Sequence, residues 1–391
     1  MNRAILSILG FSLSLTLSVG TLTTGSVLNL GPEEIVQANG ADIKVSGYSV
    51  PSFVDWNNDG LNDLVVGQGG AGYQGTIRIY LNVGTDSNPQ FGNYSYAMSG
   101  SEYLTCTPAG CLGCFPRVVY WDADNRKDLL VGLGDGFVMI YLNIGTEESP
   151  IFDTGNRVTV GSDDTLADLN VGTRATPTFV DWNNDSMMDL VVGAYDGHIH
   201  VYTNCGCEGA VPPHFYFSPA GGQYAIGPGG DLSVLSGRSS PVIMDFNGDG
   251  KIDILTGNTN GQLLFYPNTS TEEGVHRFGN YEQVESNGAP IDLDGTMRSR
   301  PSVCYWNGSR DGYLDVLIGY GDGKVRLYRG MSAAGDLDED GDIDSSDFAL
   351  FASCWFGPAT GDCANADLTA DGVVDFRDLQ VFADVWLTGT E

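Results

Sequence analysis

Cationic side chains are scarce in this chain of 391 residues. It holds 18 Lys and Arg and 4 His against 50 Asp and Glu, and its formal net charge is −32. We therefore expect no nucleic-acid partner, because binding phosphates requires clustered cations. Eight cysteines are too few for a disulfide scaffold in a chain of this length. Since 42% of the residues are hydrophobic, the chain still has ample material for a packed core.

Long apolar runs are confined to the N-terminus. One basic residue, Arg3, precedes a moderately apolar stretch from Ala4 to Gly20 that Ser and Thr interrupt. This layout is typical of a secretory signal peptide rather than of a membrane span. We expect residues 1–38 to form this leader, with a cleavage site that the pattern does not fix, and the mature chain to be secreted or at the cell surface without a transmembrane segment.

A phrase that begins with proline recurs five times. The first copy reads Pro51-SFVDWNNDGLNDLVVG, and successive prolines lie 60 to 65 residues apart. A second phrase follows each first one, as in GTIRIYLNVGT from Gly75. Each unit reads as a strand, an Asp/Asn/Gly turn, a short apolar strand, a glycine turn and an alternating strand, and a later Phe segment such as 89–91 would add a fourth strand. The five prolines are Pro51, Pro116, Pro177, Pro241 and Pro301.

Four strands repeated about every 60 residues are typical of β-propeller blades. The sequence therefore predicts a mainly β fold with five four-stranded blades over residues 39–330. The fifth copy stops at Gly330 without a fourth strand, and residues 34–46 are predicted to supply it and to close the ring. A degenerate sixth blade is the alternative, although no interval between copies exceeds 65 residues.

Each first phrase contains the spacing D-x-N-x-D-G-x-x-D or a variant of it. Oxygen ligands at alternate positions, a glycine for the sharp turn and a later carboxylate suit Ca²⁺ better than Mg²⁺, and the seventh residue would offer its carbonyl oxygen. Turns held by side-chain-to-backbone bonds without metal are the alternative. The predicted ligands in the first, third and fourth blades are Asp55, Asn57, Asp59, Leu61 and Asp63; Asp181, Asn183, Asp185, Met187 and Asp189; and Asp245, Asn247, Asp249, Lys251 and Asp253.

The loops of the second and fifth blades are degenerate. Tyr120 replaces the first carboxylate of the second loop, which we expect to bind calcium weakly or not at all. Tyr305 does the same in the fifth loop, but two inserted residues restore the spacing with less charge, so that weaker binding is expected there. The predicted ligands of the fifth loop are Asn307, Ser309, Asp311, Tyr313 and Asp315.

The paired phrases FVDWNNDGLNDLVVG and GTIRIYLNVGT resemble the FG-GAP/VCBS repeats of bacterial surface proteins, which are related to the calcium-loop repeats of integrin α-chain propellers. The resemblance covers about residues 40–330. It implies roles in adhesion or as a scaffold more often than in catalysis, although some lyases share the repeat.

After a short linker at 331–335, two twelve-residue loops place oxygen-bearing side chains at the alternate positions of a calcium loop. Apolar side chains then recur at i, i+3, i+4 and i+7, which predicts an amphipathic helix after each loop. The predicted ligands are Asp336, Asp338, Asp340, Asp342 and Asp347 in the first loop and Asp367, Thr369, Asp371, Val373 and Asp378 in the second.

These two loop–helix units resemble a type I dockerin, an EF-hand-like domain, and we assign residues 336–391 to it. The resemblance implies a small all-α module that binds a cohesin, with loop positions 10 and 11 biasing the choice of partner. Those positions are Ser345–Ser346 and Phe376–Arg377 here. A calcium-stapled cap without a partner is the alternative. Over both domains we expect about five or six Ca²⁺ sites, with calcium binding coupled to folding.

The cysteines outside the repeats' loops give three predictions. Cys304 occupies an apolar slot of the repeat, which indicates a buried free thiol. Cys354 and Cys363 flank the link between the two tail helices and are predicted to form a disulfide. An odd group remains, and a zinc site built from its first three members would lack a fourth ligand. This group is Cys106, Cys111, Cys114, Cys205 and Cys207.

Catalytic residues are not assigned by the sequence. His198 and His200 share one face of an alternating strand, which is typical of a solvated face and could alternatively bind a transition metal. Four acids in linking segments could serve a glycosidase pair, but no spacing relates them. They are Asp163, Asp164, Asp292 and Asp294.

Two functions fit these patterns, and a purely structural surface protein is a third. The favoured one is an exported calcium-binding scaffold or adhesion protein, whose propeller binds a glycan or protein ligand and whose dockerin attaches it to a cohesin-like or cell-surface partner. The alternative is a polysaccharide-degrading enzyme, a glycoside hydrolase or lyase built on a propeller, that its dockerin delivers to the substrate.

Overall fold

The computed structural model describes residues 28–70, 74–106, 113–122, 124–161, 166–204, 215–216, 223–272, 274–293, 298–308, 313–332, 335–338, 343–369 and 371–386. Over these residues the chain forms a five-bladed β-propeller followed by a small helical domain, as the repeats predict.

Each blade is an antiparallel sheet of four strands, and the first strands of the five blades lie side by side around a common centre. The first strands are Tyr48–Val54, Cys114–Val119, Thr176–Val180, Ser240–Met244 and Arg300–Cys304. The second strands are Asp63–Gly69, Asp128–Leu133, Asp189–Gly193, Asp253–Gly257 and Asp315–Gly319. The third strands are Ile77–Tyr80, Val138–Tyr141, Ile199–Asn204, Leu263–Tyr266 and Val325–Gly330. The fourth strands are Ser95–Tyr96, Asn156–Arg157, Gln223–Tyr224, Glu282–Gln283 and Leu30–Ile35.

The N-terminal strand Leu30–Ile35 completes the fifth blade. It runs antiparallel to Val325–Gly330, so that Leu30 stands opposite Gly330. The N-terminus therefore closes the ring, but the segment predicted for this strand, 34–46, was wrong in position. Leu30 is buried between the fourth and fifth blades, whereas the β-branched residues of the predicted segment are buried between the fifth and first blades instead.

Five short hairpins, which the sequence analysis missed, follow the fourth strands and connect each blade to the next. In the hairpin that follows the first blade, Ser99 forms a β-bridge with Phe152 of the second blade. The Phe segments predicted as fourth strands supply such bridges, and the fourth strands themselves form a few residues later. The hairpins are Gln37–Ala38 with Ala41–Asp42, Met98–Ser99 with Glu102–Tyr103, Thr159–Val160 with Ala167–Asp168, Ile226–Gly227 with Gly230–Asp231, and Glu285–Ser286 with Ala289–Pro290.

Five hydrophobic clusters fill the spaces between neighbouring blades. A buried aromatic side chain from the start of each loop contributes to one cluster, so these repeated aromatic residues are packing residues. A glycine in each second strand allows the close approach of the next blade; a Cβ on Gly193, for example, would lie 2.5 Å from the carbonyl oxygen of Ser239. The aromatic residues are Trp56, Trp121, Trp182, Phe246 and Trp306.

The tail contains the helices α1 (Ser345–Ser353) and α2 (Phe376–Val385) with a 3₁₀ turn at Gly361–Cys363 between them. Both helices begin with a capping box, in which an Asp caps the helix and a second Asp three residues later returns the bond. Phe351 and Phe382 stack in the centre of the tail core with ring centroids 5.2 Å apart. Within the described ranges, no helix has the length and apolar character needed to cross a membrane.

The described cysteines follow two of the three predictions and pair two members of the odd group. Cys354 and Cys363 form the predicted disulfide, and Cys304 is a buried free thiol whose pKa burial raises. Cys106 and Cys114 are joined by a second disulfide, which removes two sulfurs from the considered zinc site. Cys111, Cys205 and Cys207 lie outside the described residues.

Candidate calcium loops and docking surface

The loops of the first, third and fourth blades share one turn geometry. In the first loop, the Asp55 carboxylate accepts hydrogen bonds from the backbone N–H groups of Asp59 and Gly60, at 3.2 and 2.9 Å. In the third loop, Asp181 accepts the corresponding bonds at 3.1 and 2.8 Å. Ser186 stands in the glycine slot there and still adopts a left-handed φ of 69°. The turn therefore survives the replacement of its glycine.

These bonds suit both interpretations of the blade loops. The metal-free turn requires them, and a calcium loop also needs its chain to fold back on its first carboxylate. In the fourth loop, Asp245 accepts from Gly250 at 2.8 Å, while the Lys251 ammonium lies 3.3 Å from Asp249. Calcium binding by the blade loops thus stays a prediction.

The last aspartate of each blade loop has a structural role that the sequence analysis missed. Asp63 is fully buried and accepts two backbone N–H groups, from Trp56 at 3.0 Å and from Asn82 at 2.7 Å. Asp128 makes the equivalent bonds at 3.0 and 2.8 Å although its loop lacks the first carboxylate. The signal was available, because this aspartate is present in all five copies, including the degenerate ones. The five residues are Asp63, Asp128, Asp189, Asp253 and Asp315.

Burial governs the ionisation of these aspartates. It raises the pKa of Asp63, Asp128, Asp189 and Asp253 to about 6, against the opposing effect of the two backbone donors. The two backbone N–H donors favour the ionised form of each carboxylate, while burial disfavours it.

The degenerate loops of the second and fifth blades differ in the contacts that their side chains make. In the second blade, the Arg126 guanidinium forms an ion pair with Asp124, so that a side chain of this chain already neutralises that carboxylate. This contact supports the expectation of weak calcium binding there. In the fifth blade, Ser309 and Asp311 lie outside the described residues, and the Tyr313 hydroxyl donates a hydrogen bond to Asp336 of the tail. The fifth loop therefore touches the first tail loop.

The first tail loop brings carboxylates together. Ligand oxygens of Asp336, Asp338 and Asp347 lie within 4.8 Å of one another, and no other described residues form such an acidic or Cys/His group. Asp347 is fully buried and accepts N–H groups of Leu337, Asp338 and Asp344. An all-oxygen, carboxylate-rich set fits a hard cation such as Ca²⁺. Asp340 and Asp342 lie outside the described residues.

The second tail loop repeats this plan. Asp367 accepts N–H groups of Asp371 and Gly372 at 3.1 and 2.7 Å. The buried Asp378 accepts hydrogen bonds from both the N–H and the hydroxyl of Thr369, each at 2.9 Å. Two predicted ligands are therefore hydrogen-bonded to each other. Calcium binding by the individual residues of both tail loops stays a prediction.

The tail also exposes apolar side chains. An open groove of about 260 Å³ lies on α1 and α2, and its lining residues are Phe348, Leu379, Phe382, Ala383 and Trp386. On another part of the tail, Phe356 and Phe376 are 67% and 68% exposed, and the Trp355 ring contacts both. Such exposed aromatic groups are typical of interaction sites.

The structure gives little support to the other candidate residues, which are the two histidines and the four acids of the linking segments. His198 and His200 do not form the solvated face that was expected, because the rings pack on Tyr224 with centroids 4.7 and 4.8 Å away, and burial lowers the pKa of His200. Among the considered acids, Asp292 is exposed, while Asp163, Asp164 and Asp294 lie outside the described residues.

Two protein-family models match segments of the chain, one in the propeller and one in the tail. The FG-GAP-like repeat family matches residues 181–256, and the dockerin type I domain family matches residues 334–383. No curated protein sequence matches the chain.

Solved structures are similar at low identity. The GH43_1 enzyme from Xanthomonas citri complexed with xylotriose is 10% identical, with coverage of 78% of this chain and 91% of that one and a TM-score of 0.43. BBS1N in complex with ARL6DN, soaked with lead, is 11% identical, with coverage of 79% and 98% and a TM-score of 0.37. The chain thus combines a five-bladed β-propeller that contains an FG-GAP-like repeat with a C-terminal dockerin type I domain.

Proposed function

We propose that this protein is an exported, calcium-binding scaffold or adhesion protein that its tail attaches to a cohesin-like partner. The observation that carries the proposal is the dockerin type I match over residues 334–383, since dockerins bind calcium and cohesins. The proposal keeps the predicted domain boundaries: a propeller to Gly330, a linker at 331–335 and a docking domain from Asp336.

Calcium would act on the tail by neutralising its converging carboxylates. Asp336, Asp338 and Asp347 repel one another without a cation, and a bound ion would replace this repulsion with attraction. Each loop runs directly into a helix that its own aspartate caps, so ordering the loop also orients the helix. The partner-binding surface would therefore depend on calcium.

The partner would meet the exposed aromatic side chains of the tail. Phe376 and Arg377 occupy loop positions 10 and 11 in the second half, and Ser345 and Ser346 occupy them in the first half. Phe376 is two-thirds exposed, and burying an aromatic side chain of this kind contributes strongly to binding. Because the two halves differ, we propose that the second half makes the dominant contact.

Export is supported by the two disulfides, which are typical of oxidising compartments. We propose that the leader ends before Leu28, and not as late as residue 38, because Leu30–Ile35 is needed in the fifth blade. The propeller would then present a glycan- or protein-binding surface to the outside of the cell.

A pull-down from the producer's own envelope and secretome tests the attachment. The baits are the mature chain, the same chain ending at Gly330, and the Phe376→Ala variant, each with calcium and with a chelator. Val83→Ala, at a 70% exposed apolar position of the propeller, is the matched control.

A protein with a cohesin-like sequence that is retained by the full chain and by Val83→Ala, only with calcium, is the expected result. Phe376→Ala should retain at least tenfold less of it. Equal retention by the bait that ends at Gly330 would contradict attachment through the tail.

A further inference from the structure

Arginines recur at one position of the repeat, just before the first strands begin. Arg174, Arg238 and Arg298 each lie three residues before the repeat proline of the third, fourth and fifth blades. The same position holds Tyr48 in the first blade and Gly113 in the second. Because the calcium-type loops follow the other ends of these strands, the arginines belong to the opposite end of the propeller.

These arginines converge on the centre of the ring together with Arg300, the first residue of its strand. The guanidinium carbons of Arg298, Arg300 and Arg174 lie 4.4, 4.8 and 5.9 Å from the centroid of the Tyr48 ring. Tyr48 belongs to the first blade and the arginines to the third and fifth, so the cluster spans the central axis. Arg174, Arg298 and Arg300 line a small cavity. Arg238 and Phe115 line it as well.

The cluster lacks a counter-ion within the described part of the chain. No carboxylate of the described residues lies within 4.0 Å of these four arginines, even though acidic residues greatly outnumber basic ones. Arg174 and Arg300 are only 4% and 3% exposed. The Nε of Arg174 and the Nε and Nη1 of Arg298 are buried with no hydrogen-bond partner among described residues. Buried guanidinium groups in this state are strongly destabilising.

Burial and neighbouring positive charges lower the pKa values of two arginines in the cluster. Burial lowers the pKa of Arg300 to about 9, and the neighbouring Arg174 adds to this effect. Burial and the nearby Arg238 lower the pKa of Arg174 to about 10. An anion placed among these groups would reverse both effects and would supply the missing acceptors.

We propose that this cluster is an oxyanion-binding site at the mouth of the central channel, which takes a carboxylate or sulfate group. Guanidinium groups recognise both through paired N–H donors. The cavity is small, about 20 Å³, so that only a single charged group of an anion or of a sugar acid would enter it. The Phe115 ring, which lines the cavity, offers an apolar wall beside the charged group. The site would define the chemical class of the ligand that the propeller is proposed to bind. The inference rests on the proposed function in this point alone.

The backbone at these positions provides a variant that should fold. Arg174 and Arg298 adopt left-handed φ values of 60° and 70°, where glycine is unstrained, and Gly113 already occupies the equivalent position with a φ of 104°. The test variant is therefore Arg174→Gly with Arg298→Gly. Its control is Arg157→Gln with Arg329→Gln, which removes two arginines from exposed ion pairs and changes the net charge equally.

The full mature chain, loaded with calcium, is titrated with sodium sulfate, glucuronate, and a glucuronate-bearing oligosaccharide, with glucose and the neutral oligosaccharide as matched ligands. Calorimetry gives the affinities, and thermal unfolding at constant ionic strength gives the stabilisation by sulfate over chloride. We expect binding of all three anions, at least tenfold weaker binding in the glycine variant, and no change in the arginine control.

A preference for the charged oligosaccharide over glucuronate would identify a polysaccharide as the source of the anion, and equal affinities would identify a free anion. Binding of no anion by the native chain would overturn the proposal, as would equal binding by the glycine variant. Neither result would bear on the tail, whose attachment is read from a separate pull-down.

Discussion

Single buried aspartates hold the blades together where strand pairing ends. Asp128 accepts the N–H of Trp121 at the start of its loop and that of Asn143 after the third strand, so it ties two segments of the second blade with one side chain. Because the loop around it carries Arg126 as its own cation, this role does not require calcium.

Asp128→Ala should lower the free energy of unfolding by about 2–4 kcal/mol, because two buried N–H groups lose their acceptor. The loss should be the same with calcium and with a chelator. Chemical denaturation in both conditions measures it. Asp122→Ala, in the same loop but half-buried, is the control, and a loss equal to that of Asp128→Ala would show that the loop as a whole, rather than the two backbone bonds, is responsible.

Residue-scale features were predictable from the sequence only in part. The repeat gave the loop residues their positions, and the buried Cys304 followed from its apolar slot. The arginine cluster was not recognised, because Arg174 and Arg238 precede the repeated phrase and lie in segments that were interpreted only as connections. Their meeting depends on the closure of the ring, which brings the third and fifth blades to Tyr48 of the first.

The glycine of each second strand allows the first strand of the next blade to pack closely against it. At Gly193, a Cβ would meet the Ser239 carbonyl at 2.5 Å and the Cδ of Pro241 at 2.6 Å, and both belong to the first strand of the next blade or to the residue before it. Neither contact is with the flexible end of a side chain.

Gly193→Ala should therefore lower the free energy of unfolding by about 1–3 kcal/mol through overpacking. Gly229→Ala is a suitable control, since nothing lies within 4 Å of its added Cβ and it should change stability by no more than about 0.5 kcal/mol. Thermal or chemical unfolding compares the two. Similar losses in both variants would contradict the interpretation that contact with the next blade sets the requirement for glycine.

The closing strand gives a second prediction for the elements. A chain that begins at Gln37 lacks Leu30–Ile35 and should lose about 4 kcal/mol or more, because two buried leucines and a strand ladder disappear. A chain that begins at Leu28 is the control and should be as stable as the longer protein. Unfolding midpoints and size-exclusion profiles measure both, and equal midpoints would mean that the fifth blade is stable with three strands.

The major strands were predictable because the repeat shows them five times over, with alternation and turn residues in register. The closing strand was misplaced, because Leu30–Ile35 contains Gly31 and Pro32 and lacks the alternation that suggests a strand. The hairpins were missed because each of their strands has two residues, which is too short for any periodicity.

Half of the acidic residues of the whole molecule, 25 of 50, lie in its five blade loops and two tail loops. Near neutral pH, a net charge of −32 destabilises a compact state through self-repulsion, and bound cations would relieve it. The two parts of the chain should differ in this response, because the tail core is small and its loops lead directly into the helices.

Chelation should therefore melt the tail before the propeller. The described α-helices are α1 and α2, so the circular dichroism signal at about 222 nm should fall when calcium is removed from the full chain, while the chain ending at Gly330 should show little change. Restoring calcium should restore the signal. An equal fall in both chains would show that the propeller, rather than the tail, is the calcium-dependent unit.

The pairing of Leu30 with Gly330 also dictates the order of events during synthesis. The first strand of the described chain emerges from the ribosome some 300 residues before its partner, and a contact of such separation forms slowly. A nascent chain thus holds one apolar strand unpaired until the fifth blade is complete. The tail follows that blade in the sequence, so a chain whose synthesis stops before the fifth blade is complete lacks both the sealed ring and the predicted calcium loops of the tail.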